Sequence, residues 1–117
     1  MAATRILLVD NGSLQPAATL QLRQLSAEVG RLLGETVHPV SVLHSHKIDH
    51  ALLEGRPAII FEQAVQQAKA DGIDELIVLP LFIGPSRAIT EFLPQVFAEA
   101  SAGKMKLTIK PTLYGED

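Results

Sequence analysis

The sequence predicts an α/β protein in which a four-stranded parallel sheet, with strand order 2-1-3-4, is flanked by helices. Apolar runs of strand length alternate along the chain with segments of helical periodicity. This alternation favours parallel strands joined by right-handed helical crossovers. The first and third strand segments contain the runs ILLV and LIVL, which are apolar on both faces, as central strands are. The second and fourth carry features of edge strands.

The first half of the chain is predicted to contain two strands and one helix. Residues 5–9 (RILLV) form a continuous apolar run, and residues 16–34 have helical periodicity that Gly34 is placed to end. The apolar positions that share one face of this helix are Leu22, Leu25, Val29 and Leu32. Residues 37–43 alternate valine with polar residues, and Pro39 assigns this strand to an edge because proline cannot donate to a sheet.

The second half is predicted to contain two helices and two strands. Residues 57–72 are expected to be helical, with Pro57 at the first helical position and an apolar stripe. That stripe consists of Ile60, Ala64, Val65 and Ala68. Residues 75–80 (ELIVLP) are the second central strand, and residues 91–103 form a helix capped by Thr90, with Pro94 in its first turn. Residues 104–111 alternate apolar and polar residues, with lysines on one face as in an edge strand.

Composition limits the class of protein. The 117 residues, 47% of them hydrophobic, predict a single domain spanning residues 1–117. A net charge of −3, one Tyr and four Phe argue against nucleic-acid binding. The absence of cysteine excludes disulfides and thiolate metal sites, and it fits a cytoplasmic protein. Neither a signal peptide nor a run of ~18 apolar residues for a membrane span is expected.

Sheets of this type bind ligands beyond the carboxyl ends of their strands, where strands 1 and 3 lie side by side. The segments predicted to meet at this rim are residues 10–13, 44–50, 81–87 and 112–115. In the first, Gly12 and Ser13 are candidates to present a backbone N–H and a hydroxyl to an anion at the start of a helix. The alternative is a simple turn between strand and helix.

The second rim segment, HSHKIDH at residues 44–50, contains three histidines. His44 and His46 share a face if the strand continues, whereas His46 and His50 share one if a helical turn begins there. Imidazoles in this arrangement are candidate ligands for a divalent transition metal. The alternative is a solvated loop in which the histidines never converge.

The third rim segment follows the second central strand. Gly84 and Pro85 bend the chain there, and Ser86 and Arg87 stand ahead of a helix. A fixed positive charge and hydroxyl donors at that place suit a ligand that bears carboxylates or phosphates. A capping loop with a solvated arginine is the alternative.

Three stretches resemble the short, single-domain sirohydrochlorin chelatases of the CbiX and SirB type. They are ILLVDNGS at residues 6–13, LPLFIGPSRAITEFLP at residues 79–94 and PTLYG at residues 111–115. The resemblance implies one lobe of a chelatase fold. It also implies insertion of cobalt, nickel or iron into sirohydrochlorin for cobalamin or siroheme biosynthesis. By the same resemblance, the protein is expected to form a homodimer around the tetrapyrrole.

The chain departs from this family at its usual histidines. Asn11 stands where the family has the histidine of glycine-histidine-glycine-serine, and Ala88 matches a second histidine. Glu116 and Asp117 follow Gly115, where another histidine is common. An amide is a poor base and a methyl group is none, so the family's catalytic roles do not carry over to Asn11 or Ala88.

Three interpretations therefore remain open. The protein is a chelatase whose metal ligands have moved to His44, His46 and His50. Alternatively, it is an inactive paralogue that binds a tetrapyrrole, another acidic ligand or a partner. As a third possibility, it is a metal-binding module that uses the histidine segment alone. In the first two cases Lys47 and Arg87 are candidates to pair with ligand carboxylates.

Overall fold

The computed structural model describes residues 3–81, 91–100 and 105–110, which form a four-stranded parallel sheet with strand order β2-β1-β3-β4. The strands are β1 (Thr4–Asp10), β2 (Val37–Ser41), β3 (Glu75–Pro80) and β4 (Lys106–Ile109). The helices of the described residues are α1 (Pro16–Leu33), α2 (Phe61–Ala70) and α3 (Leu93–Ala100), with 3-10 turns at Ser45–Lys47 and His50–Leu53. The predicted fold class and strand order are confirmed.

Strand β1 is covered on both faces, as its apolar sequence predicted. One face packs against α2 and α3, and the other packs against α1, because successive side chains of a strand point to opposite faces. The first core contains Leu7, Val9, Phe61, Val65 and Leu93, all no more than 1% exposed. The second core contains Ile6, Leu8, Leu22 and Val37.

Pro39 lies on the edge strand, and its missing donor faces away from the sheet. The Val42 N–H donates to the Asp10 carbonyl of β1, whereas the Ser41 N–H donates outward to the Ile59 carbonyl. Because backbone groups alternate along a strand, Pro39 points to the same outer side as Ser41. No ladder bond to β1 is lost there, and the edge prediction is confirmed.

Helix α1 packs through part of the predicted face, because Leu22 is buried and Val29 packs partly buried against the second core. Leu25 and Leu32 are 44% and 81% exposed, so they do not belong to the core. The buried positions of the helix are Thr19, Leu22, Ser26 and Gly30. The predicted end of the helix is confirmed, since Gly34 closes it with a left-handed φ of 71°.

Small residues bring α1 close to β2 and to the turn that precedes it. The Ser26 hydroxyl donates to the Val37 carbonyl. A Cβ atom at Gly30 would lie 2.6 Å from the Glu35 carbonyl oxygen. Because the helix approaches β2 through these small residues, Leu25 and Leu32 point away from the sheet although they satisfy the helical periodicity.

Helix α2 begins at Phe61, later than the predicted start at Pro57. Residues 57–60 instead run beside β2, where the Ser41 N–H donates to the Ile59 carbonyl at 3.0 Å. The helix begins only after this contact with the sheet edge. In α3, Pro94 lies in the first turn as predicted, while Thr90 and residues 101–103 are outside the described residues.

Candidate functional site

The loops that follow β1 and β2 are hydrogen-bonded to each other and form one rim at the carboxyl end of the sheet. The Val42 N–H donates to the Asp10 carbonyl at 2.9 Å, and the Leu43 N–H donates to the Asn11 carbonyl at 3.4 Å. Asn11 is exposed on this rim. The first predicted rim segment is therefore in direct contact with the residues that immediately precede the second one.

Gly12 allows the two loops to approach this closely. Its φ is 97°, and a Cβ atom at this position would lie 1.8 Å from the Leu43 carbonyl oxygen. Its N–H is close enough to the Asp10 carboxylate to lower the pKa of that group. The anion-binding role of Gly12 and Ser13 stays a prediction.

Ser13 stabilises the start of α1. Its Oγ accepts a 2.9 Å hydrogen bond from the Gln15 N–H, just before the helix begins at Pro16. The hydroxyl proton of Ser13 is not used in that bond, so the side chain can still donate to a ligand.

Asp10 is the half-buried acid of the rim. Its Oδ1 accepts a 2.6 Å hydrogen bond from the Ser41 hydroxyl. Burial raises the pKa of the Asp10 carboxyl above its ordinary value, although hydrogen bonds from Ser41 and from the Gly12 N–H act in the opposite direction. The sequence alone does not identify Asp10 or Ser41 as a site residue. The feature that could have identified them is that each is the polar residue at the carboxyl end of its strand, and β1 and β2 are neighbours in the sheet.

The histidine segment turns sharply at His44. This residue has φ 77° and ψ −41°, and the Ser45 N–H donates to the Leu43 carbonyl at 3.0 Å, which defines a γ-turn with positive φ. Such a backbone is strained in a residue other than glycine. The strand therefore ends at Ser41, and His44 and His46 do not share a strand face.

The three histidines have different environments. His44 and His50 are exposed, whereas His46 is half-buried and its Nδ1 has no hydrogen-bond partner among the described residues. Within residues 3–81, 91–100 and 105–110, no group of three His, Asp or Glu side chains is placed to hold a metal ion. The metal-binding role of this segment stays a prediction. Lys47 is exposed in the first 3-10 turn of the same segment.

Apolar side chains flank the Asn11–Gly12 loop. Leu43 is 39% exposed and lies against Gly12, and Leu14, two residues further along the chain, is 60% exposed. The rim therefore offers apolar surface beside polar groups, a combination typical of sites for organic ligands.

The third rim segment begins at Leu81, whose N–H donates to the Val9 carbonyl at 2.7 Å. Its start is thus joined to the end of β1. The predicted site residues Ser86, Arg87 and Ala88, like Gly115, lie outside the described residues.

No protein-family model matches the sequence, and no curated protein matches it. The fold matches the crystal structure of a protein from Marinobacter aquaeolei VT8 that is described as a CbiX protein of cobalamin (vitamin B12) biosynthesis. The match has a TM-score of 0.68 and 16% sequence identity, and it covers 97% of this chain and 84% of that one. The two chains share a fold. In the described parts of this chain, no helix is both long and apolar enough to cross a membrane.

Proposed function

We propose that this protein is a sirohydrochlorin chelatase-like protein of tetrapyrrole biosynthesis. Its carboxyl-end rim binds an acidic macrocycle and handles a divalent metal ion, cobalt, nickel or iron, as substrate. The observation that carries this proposal is the fold shared with a CbiX protein, at a TM-score of 0.68 over 97% of the chain. Ligands of such sheets bind where the strands end, and the Asn11–Gly12 loop lies there.

The rim has surfaces suited to the apolar ring and to the peripheral carboxylates of a tetrapyrrole. The flat face of a tetrapyrrole is apolar and matches the exposed Leu14 and Leu43. Its peripheral carboxylates would pair with Lys47 and Arg87 and accept from Ser86. A second copy of the chain facing this rim would enclose the macrocycle, which is the proposed reason for a homodimer.

Metal insertion requires a ligand for the metal and acceptors for two pyrrole N–H protons. Of the four histidines in the sequence, His38 lies on β2, and the other three lie in the rim segment. His44 and His50 are exposed, whereas the Nδ1 of His46 is buried and has no partner among the described residues. In this proposal, the histidine segment binds the metal ion and accepts the pyrrole protons, which Asn11 cannot do.

A second candidate function is tetrapyrrole binding without insertion. Asn11 on the rim favours it, because an amide neither takes up a proton near neutral pH nor binds transition metals strongly. The lack of a three-residue metal group in the described ranges favours it as well. Such a protein would bind a tetrapyrrole and release it unchanged.

Incubation with sirohydrochlorin and Co²⁺, followed by absorbance spectroscopy, separates the two candidates. A chelatase inserts the metal faster than the uncatalysed reaction, and replacement of His44, His46 and His50 by alanine removes the excess rate. A binding protein saturates with sirohydrochlorin but leaves the insertion rate unchanged. The absence of saturable binding would contradict both.

A further inference from the structure

A groove of about 630 Å³ runs along the outer edge of β2, between α1 and α2. Its volume lies in the range of sites for small molecules. Its apolar floor includes Leu7, Leu22 and Val40. It runs along the side of the sheet, whereas the rim described above lies at the ends of the strands.

The ionisable groups that line the groove are all basic. They are Arg5, Arg23, His38 and Arg56, and no carboxylate is among its lining residues within the described parts of the chain. The whole chain carries a net charge of −3, so the groove is locally basic in a protein that is acidic overall. A locally positive concave surface attracts and concentrates anions.

Arg23 is fixed in the groove by neutral partners. Its Nη1 donates to the Leu53 carbonyl at 2.9 Å, and its Nη2 donates to the Arg56 carbonyl at 2.8 Å. Carbonyl groups orient the guanidinium without cancelling its charge. Burial and then the nearby Arg56 lower the pKa of Arg23, so two positive charges are held close together.

A second pair of basic groups lies on neighbouring strands, with Arg5 near the start of β1 and His38 on β2. Burial and then the Arg5 charge lower the pKa of His38. Arg5 pairs with Asp71 at 3.0 Å, whereas the 3.7 Å pair between Arg56 and Glu54 has both side chains 70% exposed and is therefore weak. An anion in the groove would offset the repulsion between Arg23 and Arg56 and would favour the protonated form of His38.

The edge of β2 is poorly suited to receive another strand. The Ser41 N–H is already bonded to Ile59, and Pro39 has no N–H to offer. The Val37 carbonyl accepts from Ser26. A ligand in the groove would therefore be recognised by side chains rather than by strand addition.

We infer that this groove binds a small organic polyanion, with at least two carboxylate or phosphate groups held by the arginines and a partly apolar body against the floor. This site goes beyond the proposed function and does not depend on it. Citrate and pyrophosphate are suitable probes. Citrate carries only carboxylates and pyrophosphate only phosphates, so together they show which type of anionic group the groove binds.

Isothermal titration at low salt tests the site. We expect saturable binding of at least one probe, weakened fivefold or more by Arg5→Gln and by Arg56→Gln. Arg31→Gln is the matched control, since Arg31 is an exposed α1 arginine that does not line this groove. Absence of binding to both probes, or equal weakening by the control, would overturn the inference.

A second measurement uses the unaltered protein, so its result does not depend on whether the variants fold. The imidazole of His38 can be titrated by NMR with and without the probe that binds more tightly. An anion in the groove should raise the pKa of His38 and leave the resonances of the exposed His50 unchanged. Binding that does not move His38 would place the anion elsewhere and overturn the inference.

Discussion

The Ser41 hydroxyl donates a 2.6 Å hydrogen bond to Oδ1 of Asp10, its partner in the parallel register of β1 and β2. The pair joins the carboxyl ends of the two strands whose loops form the candidate site. It also fixes a half-buried carboxylate immediately before Asn11. The position of Asn11 therefore depends on a contact between strands as well as on its own loop.

Replacing Ser41 with alanine should destabilise the protein at neutral pH. A hydrogen bond to a charged group typically contributes about 1.5–3 kcal/mol. We expect that loss in the free energy of unfolding, measured with urea at pH 7. Ser13→Ala removes a hydroxyl from a more exposed bond and should cost less. A Ser41→Ala variant as stable as the unaltered protein would show that the bond does not hold the rim.

The pKa of Asp10 determines how this carboxyl affects stability as pH changes. Burial raises its folded pKa above the ordinary 3.8, so the folded state binds the proton more tightly than the unfolded state. The stabilising contribution is fully present below pH 3.8 and is lost as pH rises through the folded pKa. An NMR titration should place the midpoint above 3.8, and Ser41→Ala should raise it further. A midpoint below 3.8 would disprove the assignment.

Gly12→Ala should be far more harmful than Gly34→Ala. Both glycines have positive φ, 97° and 71°, but only at Gly12 would a Cβ atom meet backbone, 1.8 Å from the Leu43 carbonyl oxygen. We expect a loss of about 1 kcal/mol at Gly34, the usual penalty of a left-handed alanine. The loss at Gly12 should exceed about 3 kcal/mol, because strain and displacement of the neighbouring loop add to that penalty. Equal losses in thermal or urea unfolding would mean that the loops are not in contact.

Restoring the histidines of the resembled family should promote metal insertion. Asn11→His combined with Ala88→His supplies two groups that can take up protons near pH 7, and general acid–base catalysis typically contributes about 100-fold or more. We expect the initial rate of Co²⁺ insertion into sirohydrochlorin to rise at least tenfold. Asn11→Gln combined with Ala88→Gln is the control and should not change the rate. No increase in the histidine variant would argue against a chelatase rim at these positions.

Co²⁺ binding by the histidine segment should be weak in the absence of a tetrapyrrole. Ligands held in preformed tetrahedral or octahedral geometry give strong sites, and His44, His46 and His50 do not form a three-residue group in the described structure. We expect micromolar or weaker affinity by visible absorbance titration, lost when all three are replaced by alanine. Unchanged affinity in that variant would remove the segment from the metal site.

Much of the fold could be predicted because a few sequence features are compatible with only one position in the sheet. Four consecutive apolar residues in β1 require cover on both faces, and Pro39 requires a free edge. These two features alone make β1 a central strand and β2 an edge strand of the sheet. Helix packing was less predictable, since Leu25 and Leu32 satisfy the periodicity but α1 approaches β2 through Ser26 and Gly30.

The sequence predicted the sheet topology that defines the carboxyl-end rim, but it did not predict the bonds within that rim. The topology predicted that the segments around Asn11 and His44 meet. It did not predict the bond between Asp10 and Ser41, because that bond depends on strand register. The γ-turn at His44 was also unpredictable, since it is stabilised by neighbouring structure rather than by the preference of histidine.

The most direct test of the account is an equilibrium titration of the protein with metal-free sirohydrochlorin, followed by the absorbance of the tetrapyrrole. We predict saturable binding that Lys47→Glu weakens several-fold, because it places negative charge beside the ligand carboxylates. Lys69→Glu makes the same charge change on α2, near the end of the helix that leads back to the start of β3, and should have little effect. Titration without saturation, or equal effects of the two substitutions, would contradict tetrapyrrole binding at the rim.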